Sequence, residues 1–167
     1  NIKVADVEHN LKEICRLIDE TVENGAKVIA FPELCLTGYT CGDLFSQEIL
    51  LAKSKEALKK IVLHTEGKDA LIFVGLPYMV RGKLYNVAAA IKSGELLGLV
   101  SKTFLPNYNE SYEKRWFSVE ALDAEPRIFR LPTGVTFGVE LGCDLWSVMP
   151  PSTILAASGA DIILNLS

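Results

Sequence analysis

Three short apolar runs each hand a reactive side chain to the residues just past their ends. VIAF at 28–31 is followed by Glu33, LLGLVS at 96–101 by Lys102, and TFGVEL at 136–141 by Cys143. Runs of this length bounded by proline or glycine read as buried strands. Strands of a sheet that end at a common rim bring the residues after them together, so the pattern confines the chain to folds in which a sheet carries chemistry at one edge.

Around these strands the periodicity changes. From Asp6, a candidate cap, Val7, Leu11, Ile14, Leu17, Ile18 and Val22 recur at three- and four-residue spacing up to Asn24-Gly25, which predicts an amphipathic helix and its stop. A second surface helix is expected from Gln47 to about His64, with Leu50, Leu51, Ala57, Leu58, Ile61 and Val62 on one side and lysines on the other. LIFVGLP at 71–77 reads as a buried strand, and residues 83–92 and 96–100 as an antiparallel hairpin across Ser93-Gly94. The polar, aromatic stretch from Lys102 to Phe117 has no clear period and reads as a long loop, a feature that in compact domains tends to be functional. Residues 136–141 and 162–166 are further strands, separated by a helix from Pro151 to Ser158.

This order predicts an α/β fold, a mixed sheet with helices on one face, in a single domain over residues 1–167. Both ends read as cut, because such a sheet calls for a strand before Val4 and a covering helix after the final Asn-Leu-Ser. The chain is therefore expected to be a partial domain of a larger enzyme.

Apolar residues make up 49% and charged residues 23% of the 167, the balance of a globular protein. A net charge of −4 with no basic tract argues against nucleic acid or an anionic membrane as partner. No apolar stretch approaches the roughly 18 residues of a membrane span, and the first residues enter an amphipathic helix instead of a signal peptide. A cytoplasmic location is the expectation. Cys15, Cys35, Cys41 and Cys143 are irregularly spaced with no CxxC pair, so reduced thiols are expected and no metal site.

A carboxylate that takes a thiol proton, an ammonium that stabilises an oxyanion, and a thiolate nucleophile are together the parts of a cysteine amidase. Each has an ordinary explanation alone: Glu33 as a solvated loop residue, Lys102 as a surface lysine at a strand end. The longer strings favour chemistry. FPELCLTGYTCGDLF, LYNVAAAI, KTFLPNYNESYEKRWF and DLWSVMPPS followed by NLS resemble the nitrilase or carbon-nitrogen hydrolase superfamily, and within it the amino-terminal glutaminase domains of glutamine-dependent NAD synthetases. The resemblance runs from about Val4 to Ser167.

The resemblance implies an αββα sandwich, incomplete at both ends, with helices on the outer face of its sheet. It implies Glu33 as general base, Lys102 as oxyanion partner, Glu113 as a second glutamate that positions lysine and substrate, and Tyr39 and Tyr108 against a bound glutamine. Glutamine or another small amide would be the substrate, with no cofactor in this domain. ATP and magnesium would belong to a C-terminal synthetase domain that amidates nicotinic acid adenine dinucleotide, and the protein would be a homo-oligomer. The alternatives are a free-standing amidase of the same superfamily and an impaired glutaminase domain kept as an oligomerisation scaffold.

The chain departs from the family at the nucleophile. Relatives read V-E-I-C-E-D-L-W, whereas this sequence reads Val139-Glu140-Leu141-Gly142-Cys143-Asp144-Leu145-Trp146. Gly142 then aligns with the nucleophile and Cys143 with a substrate-binding glutamate, and Cys143 is the candidate for a relocated nucleophile that still releases ammonia from an amide. Adjacent residues of an extended strand face opposite ways, which aims Cys143 away from Glu33 and Lys102 unless the chain turns sharply there. Ser111 replaces a pocket phenylalanine, and the segment between Phe117 and Phe137 is shorter than in the relatives.

Overall fold

Helix α1 (Val7–Glu23) starts where the Asp6 carboxylate accepts a hydrogen bond from the His9 amide at 3.1 Å, and its buried stripe includes Val7, Ile14 and Ile18. In the computed structural model that defines this architecture, residues 1–119 and 127–167 are described. Residues 120–126, part of the segment whose shortness the sequence marks, lie outside them.

Strand β1 (Val28–Ala30) follows, then helix α2 (Glu48–His64) and three long strands, β2 (Leu71–Val80), β3 (Lys83–Lys92) and β4 (Glu95–Ser101). These form one sheet in the order β1-β2-β3-β4, parallel at β1-β2 and antiparallel elsewhere. Two-residue turns close both hairpins, Arg81-Gly82 and Ser93-Gly94, and all four residues have positive φ, between 47° and 83°. That conformation matches the twist of the flanking strands. Strand β2 runs past Pro77, where the sequence predicts its end. The β1 partner stops opposite Phe73, so beyond it β2 is an edge that tolerates a residue without an N–H.

The stretch expected to be a loop after Lys102 contains a small hairpin, β5 (Asn107–Tyr108) with β6 (Ser111–Tyr112), and a 3₁₀ turn at Glu113–Arg115. A second main sheet is built from β7 (Ile128–Arg130), β8 (Thr136–Leu141) and β9 (Ile162–Leu166), in that order, with helix α3 (Pro151–Ala157) between the last two strands.

The strands divide between two packed sheets, the αββα layering that the resemblance implies, although their order in sequence alone suggests one mixed sheet. Burial gives the reason. On the first sheet Ile72, Val74, Leu76, Val87, Ala89 and Ile91 pack with the helices α1 and α2. Their neighbours Leu71, Phe73, Ala88 and Ala90 pack with Phe129, Phe137, Val139 and Leu141 of the second sheet. A strand apolar on both faces needs a partner on each, and the small alanines let the sheets approach. On the outer face of the second sheet Leu155 of α3 lies against Gly138, where an added Cβ would stand 2.9 Å from the leucine Cβ. The layers therefore run helix, sheet, sheet, helix. Among the described residues no helix is long and apolar enough to cross a membrane.

Candidate active site

Glu33 leaves the end of β1 in a tight loop that lies directly on β2. Gly75 makes this possible, because a Cβ there would come within 2.5 Å of the Pro32 carbonyl oxygen and the Leu34 nitrogen. The Leu36 amide and the Cys35 thiol both donate to the Gly75 carbonyl, at 3.2 and 3.4 Å, and fix the loop against the strand. Burial pushes the Cys35 thiol up to about 12, so it stays a neutral packing group.

Lys102 follows the last residue of β4, and its amide donates to the Asn86 carbonyl of β3 at 2.9 Å. Only 1% exposed, it sends its ammonium inward to donate to Glu33 Oε1 at 2.7 Å and Glu113 Oε1 at 2.8 Å. Burial of such a cation is costly unless it is paired, and here two carboxylates compensate it. The Asn86 side chain donates to Glu33 Oε1 at 2.7 Å, and the Tyr39 hydroxyl donates to Glu113 Oε1 at 2.5 Å. Thus Glu33, Lys102, Glu113 and Tyr39 come together in one connected network.

The electrostatics follow from this packing. Burial raises the Glu33 carboxyl above its ordinary range, against the pull of Lys102. Burial alone would lower Lys102, but Glu33 and Glu113 prevail and hold the ammonium above the usual lysine value. Tyr39 is driven upward by burial first, then by Glu113, Glu33 and Cys143, so it remains a hydrogen-bond donor.

The third chain segment arrives at β8. Its inward residues end at Leu141, and the chain then turns into a short 3₁₀ helix, Gly142–Trp146, with Gly142 at φ +46°. An ideal Cβ on Gly142 would overlap Glu33 Oε2 and lie 3.1 Å from Lys102 Nζ. The side of residue 142 therefore faces both the Glu33 carboxylate and the Lys102 ammonium. Cys143 is half-buried, and among the described residues no hydrogen bond joins its thiol to Glu33 or Lys102. Tyr108 stands on β5, 55% exposed, without a hydrogen bond to the network.

Two residues that the motif reading does not single out hold the site in register. Asn86 binds Glu33 through its side chain and Lys102 through its carbonyl. Asp144, fully buried, accepts from the Thr103 amide and hydroxyl at 3.0 and 2.9 Å, from the Phe104 amide at 2.6 Å and from the Leu141 amide at 3.1 Å. It ties the segment after Lys102 to the turn that carries Gly142. Burial raises its carboxyl, opposed by these same bonds. Asn86 leaves a sequence signal, since an Asn inside an apolar strand needs partners once buried.

Comparison with known proteins places this geometry in a family. The description "carbon-nitrogen hydrolase" covers residues 1–167. A glutamine-dependent NAD(+) synthetase from Aquifex aeolicus is 38% identical over 167 residues, 100% of this chain and 28% of that protein. Its counterpart from Thermotoga maritima is 32% identical over 169 residues, again 100% of this chain and 28% of the relative. The chain thus spans a little over a quarter of the length of these relatives. Among solved structures, the glutamine-dependent NAD+ synthetase of Acinetobacter baumannii superposes with a TM-score of 0.88 at 28% identity, over 100% of this chain and 31% of the other. An amidase of the nitrilase superfamily from Nesterenkonia superposes at 0.81 and 21% identity, over 99% of this chain and 61% of that one, which shows the shared fold. The chain belongs to the carbon-nitrogen hydrolase family.

Proposed function

We propose that this domain is the glutamine amidohydrolase part of an NAD synthetase, and that in this sequence its covalent step is crippled. The observation that carries the reading is the convergence of Glu33 and Lys102 on the backbone of Gly142. A thiol at that position would lose its proton to Glu33 and attack the amide carbonyl, while Lys102 would stabilise the oxyanion and Glu113 and Tyr39 would hold the lysine in place. Glycine supplies no nucleophile, and Cys143 begins one residue further along.

The synthetase reading is supported by the relatives from Aquifex aeolicus and Thermotoga maritima, both glutamine-dependent NAD(+) synthetases, at 38% and 32% identity along 100% of this chain. On this reading the ammonia passes to an ATP- and magnesium-dependent domain that amidates nicotinic acid adenine dinucleotide, and the cytoplasmic protein assembles as a homo-oligomer. The test uses the full-length protein with Gly142→Cys and Cys143→Glu together. Glutamine should then support NAD formation, whereas ammonium should support it in native and variant protein alike. Failure of glutamine in the variant while ammonium works would overturn the assignment of position 142.

A further inference from the structure

We propose that, without a thiol at position 142, the domain hydrolyses primary amides slowly by direct attack of a water molecule that Glu33 deprotonates, with no acyl-enzyme. The proposal rests on the reading of the site given above. It begins from the inequality of the two Glu33 oxygens. Both hydrogen bonds to the carboxylate, from Lys102 and from Asn86, fall on Oε1. Oε2 is the oxygen that faces Gly142.

The point that a Cβ would occupy is 3.1 Å from Lys102 Nζ and in closer contact still with Glu33 Oε2. A water oxygen beside Glu33 Oε2 on the Gly142 side would therefore lie within reach of both the carboxylate acceptor and the ammonium donor. Lys102 has three N–H groups, and its bonds to Glu33 and Glu113 use two. The third can serve an oxyanion. Glycine places no side chain against Glu33 Oε2, which overlaps the position that a Cβ would take. Burial of Glu33 makes it a stronger base than an exposed carboxylate, which suits it to this task.

The step balances without any further reactant. Water gives one proton to Glu33 Oε2 as its oxygen bonds to the amide carbon, and the carbonyl π pair moves onto oxygen beside Lys102. Collapse of this tetrahedral species restores the C=O bond and breaks the C–N bond. The departing nitrogen takes the proton back from Glu33 and leaves as ammonia, with the carboxylic acid as the other product.

The experiment follows ammonia release from glutamine by the full-length native protein, with intact-mass analysis of acid-quenched samples. Slow, linear release without a burst and without an acyl adduct is expected, and Glu33→Gln should reduce it about a hundredfold, the scale of a lost general base. An acyl adduct on Cys143, loss of the hydrolysis in Cys143→Ala, an unchanged rate in Glu33→Gln, or no release above the buffer control would each overturn the proposal. Should Glu33→Gln not fold, the pH dependence of the native rate decides. A rising limb in an elevated carboxylate range supports water activation by Glu33, and a limb in the thiol range, near pH ~8.5, overturns it. Rescue of thiol-dependent glutaminase by Gly142→Cys with Cys143→Glu would leave the functional assignment intact even where water activation fails.

Discussion

Glu33 Oε2 approaches Gly142 more closely than a Cβ at that position would allow. Gly142 also has a left-handed backbone, at φ +46°, which costs a residue with a Cβ about 1–2 kcal/mol. Gly142→Cys is therefore expected to lower stability by about that amount in urea denaturation, even as it supplies the missing nucleophile. The carboxylate is the end of a flexible side chain and can swing aside, which keeps the loss modest. A variant more stable than the native protein would contradict this geometry.

The ion pairs of Lys102 predict a larger effect. Lys102→Met leaves Glu33 and Glu113 buried without their cation, and the expected loss is about 3–5 kcal/mol. Adding Glu113→Gln to that variant should recover part of it, since one uncompensated charge is then gone. Denaturant midpoints of the three proteins measure both effects.

The same lysine sets a pH dependence. Its pKa in the folded protein is raised above the ordinary 10.5, so its contribution to stability is fully present below that value. The contribution is lost as the pH rises through the higher folded-state value. Native protein should therefore show an alkaline decline in stability above the ordinary lysine range, and Lys102→Met should lack that part of it.

Gly75 connects packing to chemistry. In Gly75→Ala the new methyl would press on the Pro32 carbonyl and the Leu34 amide, both main-chain atoms that cannot rotate away. The expected cost is about 1–3 kcal/mol of stability. A shift of Glu33 by ~1 Å would reduce amide hydrolysis on the order of a hundredfold. Stability and rate should fall together, and a rate unaffected by the substitution would show that the Glu33 loop is not held by this contact.

Much of this site is legible in the sequence, because Glu33 and Lys102 sit just past apolar runs and a strand has few ways to end. The three helices, the hairpin across Ser93-Gly94 and most of the long strands follow from periodicity and from that turn, whereas the hairpin across Arg81-Gly82 is not read from it. The division into two sheets is less legible, since a strand such as Leu71–Val80 is apolar on both faces whichever sheet covers it. The short strands β5, β6 and β7 carry too little pattern to be seen, whereas β1, equally short, is marked by the apolar run VIAF that ends at Pro32. Asp144 reads as one more charged residue near a strand end. Only the fold shows it buried among the amides of Leu141, Thr103 and Phe104. Asp144→Ala should cost at least about 1–3 kcal/mol for the donors it leaves unpaired.

The most direct test of the account compares initial rates of ammonia release from glutamine by the full-length native protein and by the protein carrying Gly142→Cys with Cys143→Glu. Placing the thiol where Glu33 and Lys102 converge should raise the rate at least about a hundredfold, the scale on which a ~1 Å misalignment already acts. Native protein that turns over glutamine as fast as the variant, and loses that activity in Cys143→Ala, would make Cys143 the working nucleophile and contradict the central claim.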